Sequence, residues 1–342
     1  MELTLERIPA EAGAARHTPP LPAFTLAASL PAPAVRDLEV PLPAELHRFA
    51  VSTRARASGN PAGPVVIVLG GISGNRFVAV GRDGGEGWWP SLVGPGCAVD
   101  PARHHIVGID FAADATGLAA PSTGDQAKVL LAALDALGLR KADAIVGASY
   151  GGMVALALAE CAPERVGRLV IISAGAEPHP AATAGRELQR RVVALGLESG
   201  KGEEALAIAR GMAMMTYRTR DEFAHRFEGG IEECCPRTAS QPGSYLSARG
   251  RAFLSVMSPE RFLSLSASID RHRVDPSRIA APALLIGAET DQLVTADQMQ
   301  DLAARLTGPA ELHLLGCLYG HDMFLKEAET IGRFVGPFLP AA

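Results

Sequence analysis

The sequence predicts an α/β protein, a mostly parallel and doubly wound sheet interrupted by one large helical insertion. Three observations carry that expectation. Short, nearly unbroken apolar runs such as Val65-Val-Ile-Val-Leu69 recur along the chain, the pattern of strands buried on both faces. These runs alternate with stretches of helical spacing, as crossover connections between parallel strands require. Between residues 178 and 280 the alternation stops, and about a hundred positions show helical periodicity alone.

Taken in order, residues 1–34 are expected to form a loosely ordered lead-in, because 8–34 is rich in Pro and Ala with little periodicity. Val35 to Leu42 and His47 to Thr53 read as antiparallel edge strands. Pro64 to Gly70 is a buried strand that ends in the small-residue loop Gly70-Gly-Ile-Ser-Gly74. His104 to Asp110 repeats the strand pattern, and Gln126 to Leu137 has helical spacing between Ser122 or Thr123 as start signal and Gly138 as stop. Ala144-Ile-Val-Gly-Ala148 is the next strand and runs into the helical segment Met153 to Glu160. Arg168 to Ser173, Ala283 to Gly287 and Glu311 to Leu315 complete the strands, and Glu327 to Phe338 is the last helix. The sheet-bearing core thus comprises 35–177 and 281–342, with 178–280 as a helical lid whose clearest helices are Glu203 to Tyr217, Arg220 to Phe227 and Pro259 to Asp270.

A chain of 342 residues with 48% hydrophobic content can bury one enlarged core. The net charge of −5 and pI near 6.0 give no field that attracts nucleic acid or anionic lipid. Only Lys128, Lys141, Lys201 and Lys326 among the 32 basic residues are lysines, an arginine excess that reads as genome base composition. Five scattered cysteines make no disulfide framework, and Cys234-Cys235 lacks zinc-site spacing, so no metal is expected and a reducing cytoplasm is the default. Cys97, Cys161 and Cys317 read as small core residues. The opening Met1-Glu-Leu-Thr-Leu-Glu-Arg7 lacks a secretory pattern, and no stretch reaches the ~20 apolar residues of a membrane span, so a soluble protein is expected.

The chemistry concentrates at Gly147-Ala-Ser-Tyr-Gly151, where Ser149 falls on a sharp strand-to-helix turn. Such a turn strains the backbone and presses the helix against the sheet, so its neighbours must lack bulk, as Gly147, Gly151 and Gly152 do. A serine hydroxyl is a weak nucleophile and needs a base, which in turn needs a carboxylate to orient it. In α/β hydrolases these follow in the order Ser, acid, His. His321 comes after the last strand in Tyr319-Gly-His-Asp322, and Asp291 after the strand before it; Asp297 lies where the next helix starts, and helix N-terminal charge explains it. The oxyanion donors would be the backbone N–H groups of Tyr150 and Ile72.

The motifs Gly87-Trp-Trp-Pro90, Val93-Gly-Pro-Gly96, Gly147 to Met153, Ala209-Arg-Gly-Met-Ala-Met-Met-Thr-Tyr-Arg218, Ser244 to Gly250 and Gly320-His-Asp-Met-Phe-Leu325 together resemble the homoserine O-acetyltransferase family of acyl-CoA-dependent α/β-hydrolase-fold enzymes. The resemblance runs from about Val65 to the C-terminus. It implies transfer of an acyl group from acetyl-CoA or succinyl-CoA, as co-substrate, to L-homoserine through an acyl-Ser149 intermediate, with no permanently bound cofactor and a homodimer. It also implies that Arg210 and Asp322 hold the two charged ends of the amino acid. Three departures bear on donor and acceptor: Gly70-Gly-Ile-Ser73 stands where His-Ala-Leu-Thr is common, Tyr150 where methionine is common, and the insertion is short. Some short members with a similar loop and the Leu318-Tyr-Gly-His-Asp322 ending look succinyl-specific, and relatives that acylate serine exist. For a succinyl carboxylate, Arg76 and the Tyr319 hydroxyl are the expected partners. An esterase shares the same triad, and a catalytically silent binding protein would have it misaligned.

Overall fold

The computed structural model describes residues 34–230 and 240–341, so the lead-in expected over 1–34 and the Cys234-Cys235 pair lie outside the described residues, save the backbone of Ala34. Eight strands form one sheet in the order β1-β2-β4-β3-β5-β6-β7-β8. Here β1 is Ala34–Pro41, β2 Ser52–Gly59, β3 Val65–Leu69, β4 His105–Ile109, β5 Ala144–Ala148, β6 Leu169–Ile172, β7 Ala283–Ala288 and β8 Ala310–Leu315. β1 and β2 are antiparallel at one edge, and every pairing from β4 to β8 is parallel.

The apolar runs are continuous because alternate residues feed two cores. Ile67, Leu69, Ile145, Ile171 and Leu285 point into one, and Val66, Val68, Val146, Val170 and Ile286 into the other. The second extended stretch differs from expectation: residues 44–46 make a 3-10 turn and the strand is Ser52–Gly59. Its Ser, Arg, Ala and Gly residues have weak strand preference, and its extended form comes from pairing with β1 and β4 on either side.

The helices are α1 Thr123–Leu137, α2 Tyr150–Cys161, α3 Pro180–Glu198, α4 Gly202–Tyr217, α5 Arg220–Arg226, α6 Gln241–Phe253, α7 Pro259–Asp270, α8 Ala296–Arg305, α9 Met323–Lys326 and α10 Ala328–Phe338. α1 begins a turn earlier than its apolar spacing, because Ser122 and Asp125 form a reciprocal capping box. α3 to α7 fall between β6 and β7; α3 and α6 add to the three helices legible in sequence. Of Cys97, Cys161 and Cys317, none is fully buried: Cys161 is exposed, and Cys97 and Cys317 are half-buried, Cys317 packing against the edge of the second core. Among the described residues no helix is long and apolar enough to cross a membrane.

Candidate active site

β5 delivers Ser149 with φ 53° and ψ −120°, a backbone conformation that non-glycine residues avoid, at a cost of order 1–3 kcal/mol. What over-determines it is the packing of α2 against the sheet. A Cβ on Gly151 would lie 2.5 Å from the Leu69 carbonyl oxygen, and one on Gly147 would lie 2.6 Å from that of Gly151. Gly151 N–H also donates to Gly70 O at 2.9 Å, which locks the loop after β3 beside the start of α2.

His321 sits in a tight turn after β8 and Asp291 in the turn after β7. Ser149 Oγ lies 2.8 Å from His321 Nε2, and His321 Nδ1 lies 2.7 Å from Asp291 Oδ2. Asp291 also accepts the backbone N–H groups of Leu293 and Val294 on Oδ1, at 2.8 and 3.1 Å, which fixes the carboxylate plane. An ionised carboxylate only accepts, so the proton is assigned to Nδ1, leaving Nε2 to accept from the serine hydroxyl. Burial opposes a charge on His321, but the charge and hydrogen bond of Asp291 outweigh it, and the net shift of its pKa is upward.

Two cavities meet at Ser149 and His321. The larger, about 250 Å³, is lined by Ile72, Trp88, Arg210 and Asp322. Among the described residues no acceptor takes the N–H of Ile72 or Tyr150, so both stay available as donors. The Tyr150 side chain is buried away from them, hydrogen-bonded to Ser268, and burial pushes its pKa up to about 12. Trp88 covers Gly70, where a Cβ would meet the indole ring at 2.7 Å, and its Nε1 donates to Asn75 O at 3.0 Å. Arg210 stacks on Tyr217 and Phe253, 5.1 and 4.7 Å from their ring centres, and has no carboxylate partner among the described residues. Asp322 accepts from buried Arg218 at 3.1 Å through Oδ2, and its Oδ1 has no partner among the described residues.

Two expected residues are not at the site. Arg76 is held by Asp110 at 2.6 Å and Asp37 at 3.1 Å and lines neither cavity at Ser149; its charge is already neutralised by acids remote in sequence. Tyr319 also lines neither cavity. Tyr217 does line both, with its ring centre 5.7 Å from that of His321. The second cavity, about 180 Å³, adds Arg186, Gln189 and Gln292. The one signal for Arg186 in the sequence is its four-residue spacing from Arg190, with no acid four residues from either.

A serine on a strained turn, with histidine and aspartate brought to it from the ends of later parallel strands, is the arrangement of the α/β-hydrolase class. The profile of the alpha/beta hydrolase fold matches residues 64–328. A homoserine O-succinyltransferase of Xanthomonas campestris is 39% identical over 87% of this chain and 82% of its own. A homoserine O-acetyltransferase of Thermus thermophilus is 35% identical over 75% of this chain and 73% of its own. The crystal structure of esterase E22 superposes with a TM-score of 0.78 at 20% identity, over 90% of this chain and 100% of that one, a likeness of fold. The chain therefore belongs to the α/β-hydrolase-fold acyltransferase family of the homoserine O-acyltransferases.

Proposed function

We propose that the protein transfers an acyl group from acyl-CoA, as co-substrate, to the side-chain hydroxyl of L-homoserine in two steps, with no permanently bound cofactor. In the first, Ser149 Oγ attacks the thioester carbonyl while His321 Nε2 takes its proton. The N–H groups of Ile72 and Tyr150 hold the oxyanion, the C–S bond breaks, and the proton passes to the departing thiolate. In the second, the homoserine hydroxyl gives its proton to His321 and attacks the acyl-serine carbonyl. Ser149 then leaves and recovers the proton.

The observation that carries this reading is the charge pattern of the 250 Å³ cavity, which is lined both by Arg210, without an acid partner among the described residues, and by Asp322. An amino acid brings one carboxylate and one ammonium, and Arg210 presents a planar fork suited to the first. Asp322 keeps Oδ1 for the second. An esterase needs the triad and an apolar acyl slot, and gains nothing from such a pair.

The helical insertion over Ser149 acts as the lid, excluding water that would otherwise hydrolyse the acyl-enzyme. Exposed Ile208 and Met215, on the groove between α4 and α6, support a homodimer, and the free thiols of Cys97, Cys161 and Cys317 together with the CoA donor support a cytoplasmic setting. The test is CoA release from acyl-CoA with L-homoserine, L-serine or no acceptor. Sustained release should require homoserine; release at the same rate without an acceptor would make the protein a thioester hydrolase.

A further inference from the structure

Resting on the reading above, we propose that Glu222, acting through Arg218, is a positioning residue that keeps Asp322 negative toward the cavity, so that the site selects an acceptor bearing an ammonium group over one without it. Asp322 is the acid of the 250 Å³ cavity, yet its Oδ2 already accepts from Arg218 Nε at 3.1 Å. Taken alone, that contact would cancel the charge an ammonium needs, and a neutral ion pair attracts a cation only weakly. The guanidinium has a second partner, however: Arg218 Nη1 donates to Glu222 Oε1, so one cation lies between two acids.

Arg218, Glu222 and Asp322 are 6%, 3% and 8% exposed, so their charges act on one another with little screening. Two acids around one guanidinium leave one negative charge over, and of the three side chains only Asp322 lines a cavity at Ser149. Arg226 also reaches Glu222 Oε1, at 3.3 Å, but its side chain is 40% exposed and water screens it. Glu222 Oε2 is buried and takes no donor among the described residues. A carboxylate oxygen left bare in the interior costs stability, and apolar side chains of similar volume would pack there without that cost, so the gain from Glu222 lies in its charge. The backbone seats this trio on the catalytic turn. Thr219 Oγ1 accepts from Glu222 N at 3.0 Å and donates to Leu318 O, and a Cβ on Gly320 would lie 2.9 Å from Tyr217 O. The start of α5 is therefore fixed against the loop that carries His321 and Asp322.

The experiment compares kcat/KM for L-homoserine and 4-hydroxybutyrate, which share the carboxylate and the reacting hydroxyl and differ in the ammonium group. The donor is whichever of succinyl-CoA and acetyl-CoA acylates Ser149 faster, and the acyl adduct formed without acceptor reports that a variant is folded. Wild type should favour homoserine by at least about 30-fold, the scale of one buried charge pair. Glu222→Gln keeps the shape and an acceptor for Arg218 but drops the charge; it should cut that preference about tenfold while Ser149 still takes up the acyl group. Removing both charges, with Arg218→Gln added to Glu222→Gln, should restore part of the preference, a rescue that a merely structural role does not give. A wild type that takes the two acceptors equally well overturns the proposal even if no variant folds. So do an unchanged ratio in Glu222→Gln and a folded double variant that regains nothing. In each of these cases homoserine acylation by the wild type leaves the proposed function standing, whereas a wild type that acylates neither acceptor overturns both.

Discussion

Replacing Asp291 by Asn tests how the imidazole is held and charged. In the wild type, burial alone would keep His321 neutral, and the Asp291 charge and hydrogen bond reverse that, lifting its pKa above 6.5. The base works only when neutral, so the acylation rate falls as pH drops through that raised value. Asn removes that charge while burial and the neighbouring Asp322 charge remain, so the imidazole pKa falls and the acid limb moves to lower pH. The plateau falls for a separate reason. The Asn amide can donate to Nδ1, which moves the ring proton to Nε2, the atom 2.8 Å from Ser149 Oγ, and there it can no longer accept. For triads of this kind the loss is on the order of 10⁴-fold. Single-turnover thiol release from acyl-CoA across pH 5 to 9 reads limb and plateau together. An acid limb that stays put or moves upward would refute the electrostatic argument, and a plateau loss under about tenfold would refute Asp291 as the orienting acid.

Arg210→Ala should weaken acyl transfer to homoserine by about 2–5 kcal/mol while Ser149 still acylates, measured as separate half-reactions; equal losses in both would make Arg210 structural. Tyr150→Phe should lower stability by about 1 kcal/mol in denaturant titration, by orphaning Ser268, and leave kcat unchanged because the oxyanion donor is the backbone N–H. Arg76→Ala should leave the succinyl-to-acetyl ratio unchanged and lower the melting temperature, since it leaves Asp37 and Asp110 short of a partner.

The sequence made the sheet legible because strands buried on both faces leave unbroken apolar runs, as Val65–Leu69 and Ala144–Ala148 do. It hid β2, whose residues are strand-like only through their neighbours. α3 escaped because part of the face it turns inward is Arg186 and Arg190 reaching Asp270, which no apolar periodicity reveals. α6 escaped through glycine: a Cβ at Gly250 would lie 2.3 Å from Ala207 O, a close helix contact that propensity counts as a defect. Ser149, Asp291 and His321 were readable since each follows a strand, and topology gathers strand ends. Arg76 was misread because its partners Asp110 and Asp37 lie 34 and 39 residues away, beyond any local pattern.

The central claim is that Ser149 carries the acyl group between donor and acceptor. Intact-protein mass measured after mixing with succinyl-CoA alone should show one succinyl adduct, which disappears when homoserine is added and is absent from Ser149→Ala, whose kcat should fall by roughly 10⁴- to 10⁶-fold. An adduct that persists in Ser149→Ala, or a wild type that acylates homoserine at full rate without ever carrying one, would contradict it.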